Sequence, residues 1–180
     1  KKIGCDINFI GKRKILIIGI NEFKIANHEI IFDRIELGTY LIAGALVGKK
    51  IIINKVDPTV INTEIKIMKK MGVRLKIEKK RITVLESKKI RSISINTEAY
   101  PGFPTDLQAQ IMVLMSKASG KSKVRESIFE NRFMHVPELK RMGAIISTKN
   151  NLAIITGPTK LSGAEVMATD LRASVSLVLA

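Results

Sequence analysis

The chain has 180 residues, 46% of them hydrophobic, which suits one ordinary domain, or one domain plus part of another, with a buried core. Its 31 basic and 16 acidic side chains give a formal net charge of +15, a balance found in proteins of nucleic acids and anionic surfaces. The lysines, however, are scattered in pairs such as Lys49-Lys50, Lys69-Lys70 and Lys79-Lys80, and with no Trp and 4% aromatics the chain offers few stacking platforms for a single strand.

One cysteine, Cys5, excludes an internal disulfide framework, fits a reducing cytosol and reads as a small buried apolar residue. The longest apolar runs, 15–20 and 41–47, fall far short of the ~20 residues that span a bilayer. No cluster of His, Cys and carboxylates suggests a metal site. The chain begins Lys1-Lys2 and stops at Val178-Leu179-Ala180 inside an apolar helical pattern, so a fragment is expected.

In chain order, residues 3–9 alternate like a strand, 11–14 turn, and 15–20 read as the second strand of a hairpin. A short strand is expected at 29–32. Small and apolar residues at 39–47 predict a buried helix closed by Gly48, followed by a strand at 49–56 that Asp57-Pro58-Thr59 breaks. Helical spacing of Ile61, Ile65 and Met68 predicts a helix over 60–71 with Gly72 as its stop. Strict alternation then predicts a hairpin from 73–77 and 81–85, and another strand at 90–95.

The stretch Tyr100-Pro101-Gly102-Phe103-Pro104-Thr105-Asp106 has the form of a rigid loop delivering a carboxylate to a helix start, because Pro fixes φ and Thr is a good N-cap. Thr105 and Gln108 stand at the spacing of a capping box. The predicted helix runs from Leu107 to about Ser119 with Gly120 as its cap. A strand at 123–128, a helix at 137–142 stopped by Gly143, and a hairpin from 144–147 and 152–156 follow. Ala168-Thr169-Asp170-Leu171-Arg172 repeats the Thr-Asp arrangement.

These elements recur. Lys69-Lys70-Met71-Gly72-Val73 matches Lys140-Arg141-Met142-Gly143-Ala144, and Asp33, Asp106 and Asp170 each precede a helix, which gives an internal repeat of about 70 residues. Each unit is helix, strand, helix and β-hairpin. Two nearly complete units are present, and Asp170 opens a third.

Three motifs carry a resemblance. They are Pro101-Gly102-Phe103-Pro104-Thr105-Asp106-Leu107-Gln108-Ala109-Gln110, then Ile128-Phe129-Glu130-Asn131-Arg132-Phe133-Met134-His135, and Leu161-Ser162-Gly163-Ala164-Glu165-Val166-Met167-Ala168-Thr169-Asp170-Leu171-Arg172. With Asp33-Arg34-Ile35-Glu36-Leu37-Gly38-Thr39, and in collinear order over essentially the whole chain, they resemble the bacterial UDP-N-acetylglucosamine 1-carboxyvinyltransferases.

The resemblance implies an α/β (α+β) fold, an inside-out α/β barrel of the enolpyruvyl transferase type built from units of about 70 residues. Residues 1–31 would end a first domain. Residues 32–97 and 98–160 would be two units of a second, and 161–180 the start of its third. The implied activity is enolpyruvyl transfer from phosphoenolpyruvate to the 3'-hydroxyl of UDP-N-acetylglucosamine with release of phosphate, the first committed step of peptidoglycan synthesis. It implies a cytoplasmic monomer that needs no cofactor and binds neither nucleic acid nor membrane.

By the same resemblance Asp106 is the catalytic and substrate-binding carboxylate, since a sugar hydroxyl needs a base as it attacks. Arg132 and Arg172 gather positive charge for the carboxylate and phosphate of phosphoenolpyruvate, which suit the planar guanidinium. Asp170 orients an arginine or takes part in proton transfer. Ile128 meets the sugar nucleotide through its backbone, and His135 is structural. The family's loop with a reactive Cys, its Lys-Asn pair and its substrate-binding Arg have no match in this chain, so the chain by itself should not turn over. Two alternatives stand beside this reading. One is the sister enzyme acting on shikimate 3-phosphate, and the other is a basic nucleic-acid-binding module, whose affinity would fall steeply with salt.

Overall fold

The computed structural model describes residues 1–12, 14–48, 50–168 and 170–180, and these form two compact units, Lys1–Phe32 and Asp33–Ala180. In the smaller unit β1 (Asp6–Gly11) and β2 (Lys14–Ile18) pair antiparallel, as the alternation predicts. Arg13 of the expected turn lies outside the described residues. Cys5 is half-buried rather than buried. The strand expected at 29–32 does not form. Ile30 and Ile31 stand exposed, and without a paired ladder nothing holds their backbone extended.

The larger unit opens with α1 (Arg34–Val47). It starts at Arg34 rather than 39 because Asp33 caps it, Oδ1 accepting from the Ile35 and Glu36 N–H groups at 2.7 and 3.3 Å. It ends on Gly48 at φ 71°, a left-handed C-cap. β3 (Ile51–Asn54) is shorter than the expected strand, whose first residue, Lys49, lies outside the described residues. A 3-10 turn (Pro58–Ile61), α2 (Asn62–Lys70), and the hairpin of β4 (Arg74–Glu78) and β5 (Arg81–Leu85) follow.

After β6 (Ser94–Asn96), a second 3-10 turn (Thr105–Leu107) leads into α3 (Gln108–Ser116). The chain continues through β7 (Gly120–Arg125), α4 (Val136–Arg141), β8 (Ile145–Lys149), β9 (Leu152–Gly157) and α5 (Leu171–Leu179). Gly120, expected as the cap of α3, instead opens β7 at φ 104°, while α3 ends at Ser116 with Lys117 as its C-cap.

Two sheets result, ordered β3-β5-β4 and β6-β7-β9-β8. β3 and β7 each pair antiparallel with the second strand of the hairpin that follows, so helix, strand, helix and hairpin recur with the same pairing. The matching Met-Gly steps are one backbone device used twice. Gly72 (φ 91°) and Gly143 (φ 100°) turn the chain out of α2 and α4. The Met71 carbonyl accepts the Arg91 N–H at 2.7 Å, and the Met142 carbonyl accepts the Ser162 N–H at 2.9 Å. A Cβ at either glycine would meet a carbonyl oxygen, Lys89 O at 2.9 Å or Lys160 O at 3.1 Å, so both conformation and space call for glycine. The smaller unit has the same device at Gly4 (φ 102°), where the Ile3 carbonyl accepts the Lys24 N–H at 3.0 Å.

α3 is buried along its whole length, packed among α1, α5 and β9, which accounts for its having no charged, solvated face. α1 lies against the turn that precedes it. An added Cβ on Gly38 would sit 2.3 Å from Leu107 Cδ1, so only glycine allows this approach. Among the described residues no helix is long and apolar enough to cross a membrane.

Candidate active site

The Tyr100–Pro104 loop is held from two sides before it delivers Asp106. Within its own segment, Glu98 N–H donates to the Phe103 carbonyl at 2.8 Å, and Gly102 N–H to the Ala99 carbonyl at 2.8 Å. Phe103 is buried. From α1 and α2, Arg34 Nη2 donates to Glu64 Oε1 at 2.6 Å and to the Gly102 carbonyl at 3.3 Å, and Thr63 Oγ1 donates to the Pro101 carbonyl at 2.6 Å. The Arg34 guanidinium also lies over the Tyr100 ring, 4.8 Å from its centroid, a cation–π contact. Arg34 was visible in the sequence beside Asp33, but nothing there indicated that it clamps a loop so distant along the chain.

The capping box expected at Thr105 and Gln108 does not form. Thr105 Oγ1 donates to Glu126 Oε2 at 2.8 Å, and the start of α3 has no side-chain cap. The three aspartates at helix starts therefore divide. Asp33 and Asp170 spend Oδ1 on their own helices, Asp170 accepting from Arg172 N–H at 2.9 Å and Ala173 N–H at 2.8 Å. Asp106 caps nothing and pairs with Arg132, Nη2 to Oδ1 at 2.8 Å.

Arg132 comes from the loop after β7, where Asn131 adopts φ 53°, a left-handed conformation that Asn tolerates. Its guanidinium lies 5.0 Å from the Phe129 ring centroid. Asp106, Phe129, Arg132, His135, Asp170 and Arg172 line one cavity of about 290 Å³. Four of the five residues singled out from the sequence are thus brought together. The fifth, Ile128, borders a neighbouring concavity of about 470 Å³ that shares Phe129 and Arg132 with the first. Thr169, which precedes Asp170, lies outside the described residues.

The field in the cavity is set by few charges. Arg132 is paired with Asp106, whereas Arg172 has no carboxylate within ion-pairing distance among the described residues, so an anion entering the cavity meets an uncompensated guanidinium. The Ala173 N–H bond holds the Asp170 carboxyl below the usual carboxylate range; burial opposes this, and the Arg172 N–H and the Arg132 charge add to it. Such a group is a weak proton acceptor. His135 is buried, and among the described residues neither ring nitrogen has a hydrogen-bond partner. Burial pushes its pKa down to about 4, Asp170 opposing and Arg132 reinforcing the shift, so at neutral pH it is an uncharged part of the wall.

Chemically, the cavity offers one partly exposed carboxylate free of backbone duties and two guanidiniums that can face an anion. Among the described residues no three His, Cys, Asp or Glu side chains converge as metal ligands.

The family model described as EPSP synthase (3-phosphoshikimate 1-carboxyvinyltransferase) matches residues 1–180. The chain is 54% identical over 178 residues to a UDP-N-acetylglucosamine 1-carboxyvinyltransferase of Pelagibacter ubique, covering 99% of this chain and 43% of that protein. It is 48% identical to the protein of the same description from Desulfosudis oleivorans, again over 99% of this chain and 43% of the relative. The chain therefore spans less than half the length of the curated relatives it matches. Among solved structures, the enolpyruvyl transferase NikO from Streptomyces tendae superposes with a TM-score of 0.91 at 27% identity, over 99% of this chain and 43% of that one. An EPSP synthase from Acinetobacter baumannii, 18% identical, shares the fold with a TM-score of 0.74 over 99% of this chain and 45% of its own.

Proposed function

The chain belongs to the EPSP synthase (3-phosphoshikimate 1-carboxyvinyltransferase) family, and we propose that it supplies one wall of the active site of a UDP-N-acetylglucosamine 1-carboxyvinyltransferase. In this reading the fold is part of an inside-out α/β barrel. Residues 1–31 end one domain, 32–97 and 98–160 are two units of the next, and 161–180 begin its third. The substrates are phosphoenolpyruvate and UDP-N-acetylglucosamine, and the step belongs to peptidoglycan synthesis in the cytoplasm.

Replacing phosphate by a sugar oxygen at C2 of phosphoenolpyruvate is an addition followed by an elimination. The hydroxyl loses its proton as its oxygen bonds to C2, and C3 gains a proton. The C2–O bond to phosphate then breaks while C3 gives a proton up, restoring the double bond. Asp106 takes the hydroxyl proton, held by Arg132 so that one carboxylate oxygen faces the cavity. Arg172 and Arg132 bind the carboxylate and phosphate of phosphoenolpyruvate. Asp170, fixed in its charged form by its cap, places Arg172 at the start of α5 and balances the cationic field. Ile128 borders the sugar nucleotide.

One observation carries this reading: of three aspartates at equivalent helix starts, only Asp106 is released from capping, and it pairs instead with Arg132 in a cavity that Arg172 also lines. The identity of the relatives favours the nucleotide-sugar acceptor over shikimate 3-phosphate. The test is phosphate release by the complete protein carrying these residues, with phosphoenolpyruvate and either acceptor. Release with UDP-N-acetylglucosamine is expected, and Asp106→Asn should lower kcat by roughly 10²–10⁴. Release only with shikimate 3-phosphate, or an Asp106→Asn variant of undiminished kcat, refutes the assignment.

A further inference from the structure

The strongest polar constellation outside the cavity is centred on Glu126, just beyond β7 and only 2% exposed. No cation neutralises it; among the described residues it has no ion-pair partner. Its carboxylate instead accepts four hydrogen bonds. Oε1 takes the Thr97 hydroxyl at 2.8 Å, the Ile128 N–H at 2.9 Å and the Phe129 N–H at 3.2 Å, and Oε2 takes the Thr105 hydroxyl at 2.8 Å. Thr97 Oγ1 accepts in turn from the Ser127 N–H at 2.9 Å, and the Ser127 hydroxyl donates to the Thr97 carbonyl.

The donors come from three segments: the end of β6, the residue before Asp106, and the turn that carries Ile128 and leads to Arg132. A carboxylate serves all four at once, because it accepts at both oxygens and its charge strengthens each bond, whereas an amide has one uncharged accepting oxygen and would force the Thr105 hydroxyl to reverse and accept. A buried carboxylate is costly unless so satisfied. The arrangement therefore ties the Asp106 loop to the Arg132 loop at a fixed separation.

We infer that Glu126 is a positioning residue of the active site, acting through Thr105 on Asp106 and through the Ile128 and Phe129 amides on the loop that holds Arg132. Because the Ile128 N–H is committed to Glu126, its carbonyl and side chain are the groups of that residue left to meet a ligand. The kinetic consequence rests on the proposed function; the structural one does not.

Both are tested in the complete protein. Glu126→Gln should lower kcat for phosphate release at least ten-fold while unfolding stays cooperative, and should speed amide exchange at Ile128 and Phe129 at least ten-fold, with β7 and β9 amides unchanged. Thr105→Val should fall towards the Glu126→Gln level, Thr105→Ser should restore most of the rate, and Glu126→Gln combined with Thr105→Val should lose little more than either alone. If the wild type releases no phosphate, the proposed function fails and the exchange data alone judge Glu126. Unchanged protection at Ile128 and Phe129, or a wild-type kcat in Glu126→Gln, overturns the inference. Should Glu126→Gln fail to fold, the contrast between Thr105→Val and Thr105→Ser decides, and equal rates in those two variants reject it.

Discussion

Acidification offers a direct probe of the cavity wall through His135. The side chain is 1% exposed and neither ring nitrogen has a partner among the described residues, so burial favours the neutral imidazole in the folded protein. In the unfolded chain it takes a proton at about 6.5, in the folded protein only at about 4. Between these values the unfolded state binds the extra proton, so stability is complete above pH 6.5 and falls as the pH drops towards 4. The full window is worth about 3 kcal/mol, most of it already lost by pH 4.5. Asp170 and Arg132, the two charges that act on the ring, are included in that shift.

His135→Leu removes the titration at similar volume and leaves no polar group unpaired, so near pH 7.5 it should change stability by less than about 1.5 kcal/mol. Urea unfolding of the complete protein and this variant across pH 7.5 to 4.5 makes the comparison, since every other titratable group is present in both. The wild type should lose about 2–3 kcal/mol relative to His135→Leu over that range. Parallel profiles would show that His135 is charged or solvated in the native state and would refute the reasoning.

Two further predictions concern close approaches. Gly38→Ala gains up to about 1 kcal/mol of helix propensity but sets a methyl 2.3 Å from Leu107 Cδ1; overpacking of this kind costs about 1–3 kcal/mol, so net destabilisation is expected by urea unfolding, with reduced kcat because Leu107 adjoins Asp106. A stabilised and fully active Gly38→Ala would mean that Leu107 has room to move. Gly72→Ala and Gly143→Ala should each destabilise by about 1–2 kcal/mol from the left-handed backbone and more from the carbonyl opposite, and the two losses should be similar if the device is the same. A neutral result at either position would break the equivalence.

The repeat was legible because its signals are local: a helix stop on glycine, strict alternation in the hairpins, an aspartate before the first helix of each unit. Asp106, Arg132, Asp170 and Arg172 were named from motifs, and the structure brings them to one cavity. Missed were the residues whose work lies across the chain. Glu126 looks like a solvated charge among Lys121, Lys123 and Arg125, although period-two counting sets it on the face of Ser122 and Val124, both buried. That parity was the available signal. Thr105 was read as a cap because capping is the commonest local use of Thr, and a tertiary acceptor outcompeted it. Residues 29–32 show the opposite error: a strand pattern holds no strand without a partner.

A duplicated unit inherits two copies of each side chain, and a copy is available for new chemistry only after its structural duty has passed elsewhere. At the start of α3 that duty has passed to the 3-10 turn, in which the Pro104 carbonyl accepts the Leu107 N–H and the Thr105 carbonyl accepts the Gln108 N–H. Asp33 still meets that duty at α1, its Oδ1 accepting from the Ile35 and Glu36 N–H groups. Moving the proposed carboxylate role to the first unit would therefore require another N-cap for α1 before Asp33 could be freed.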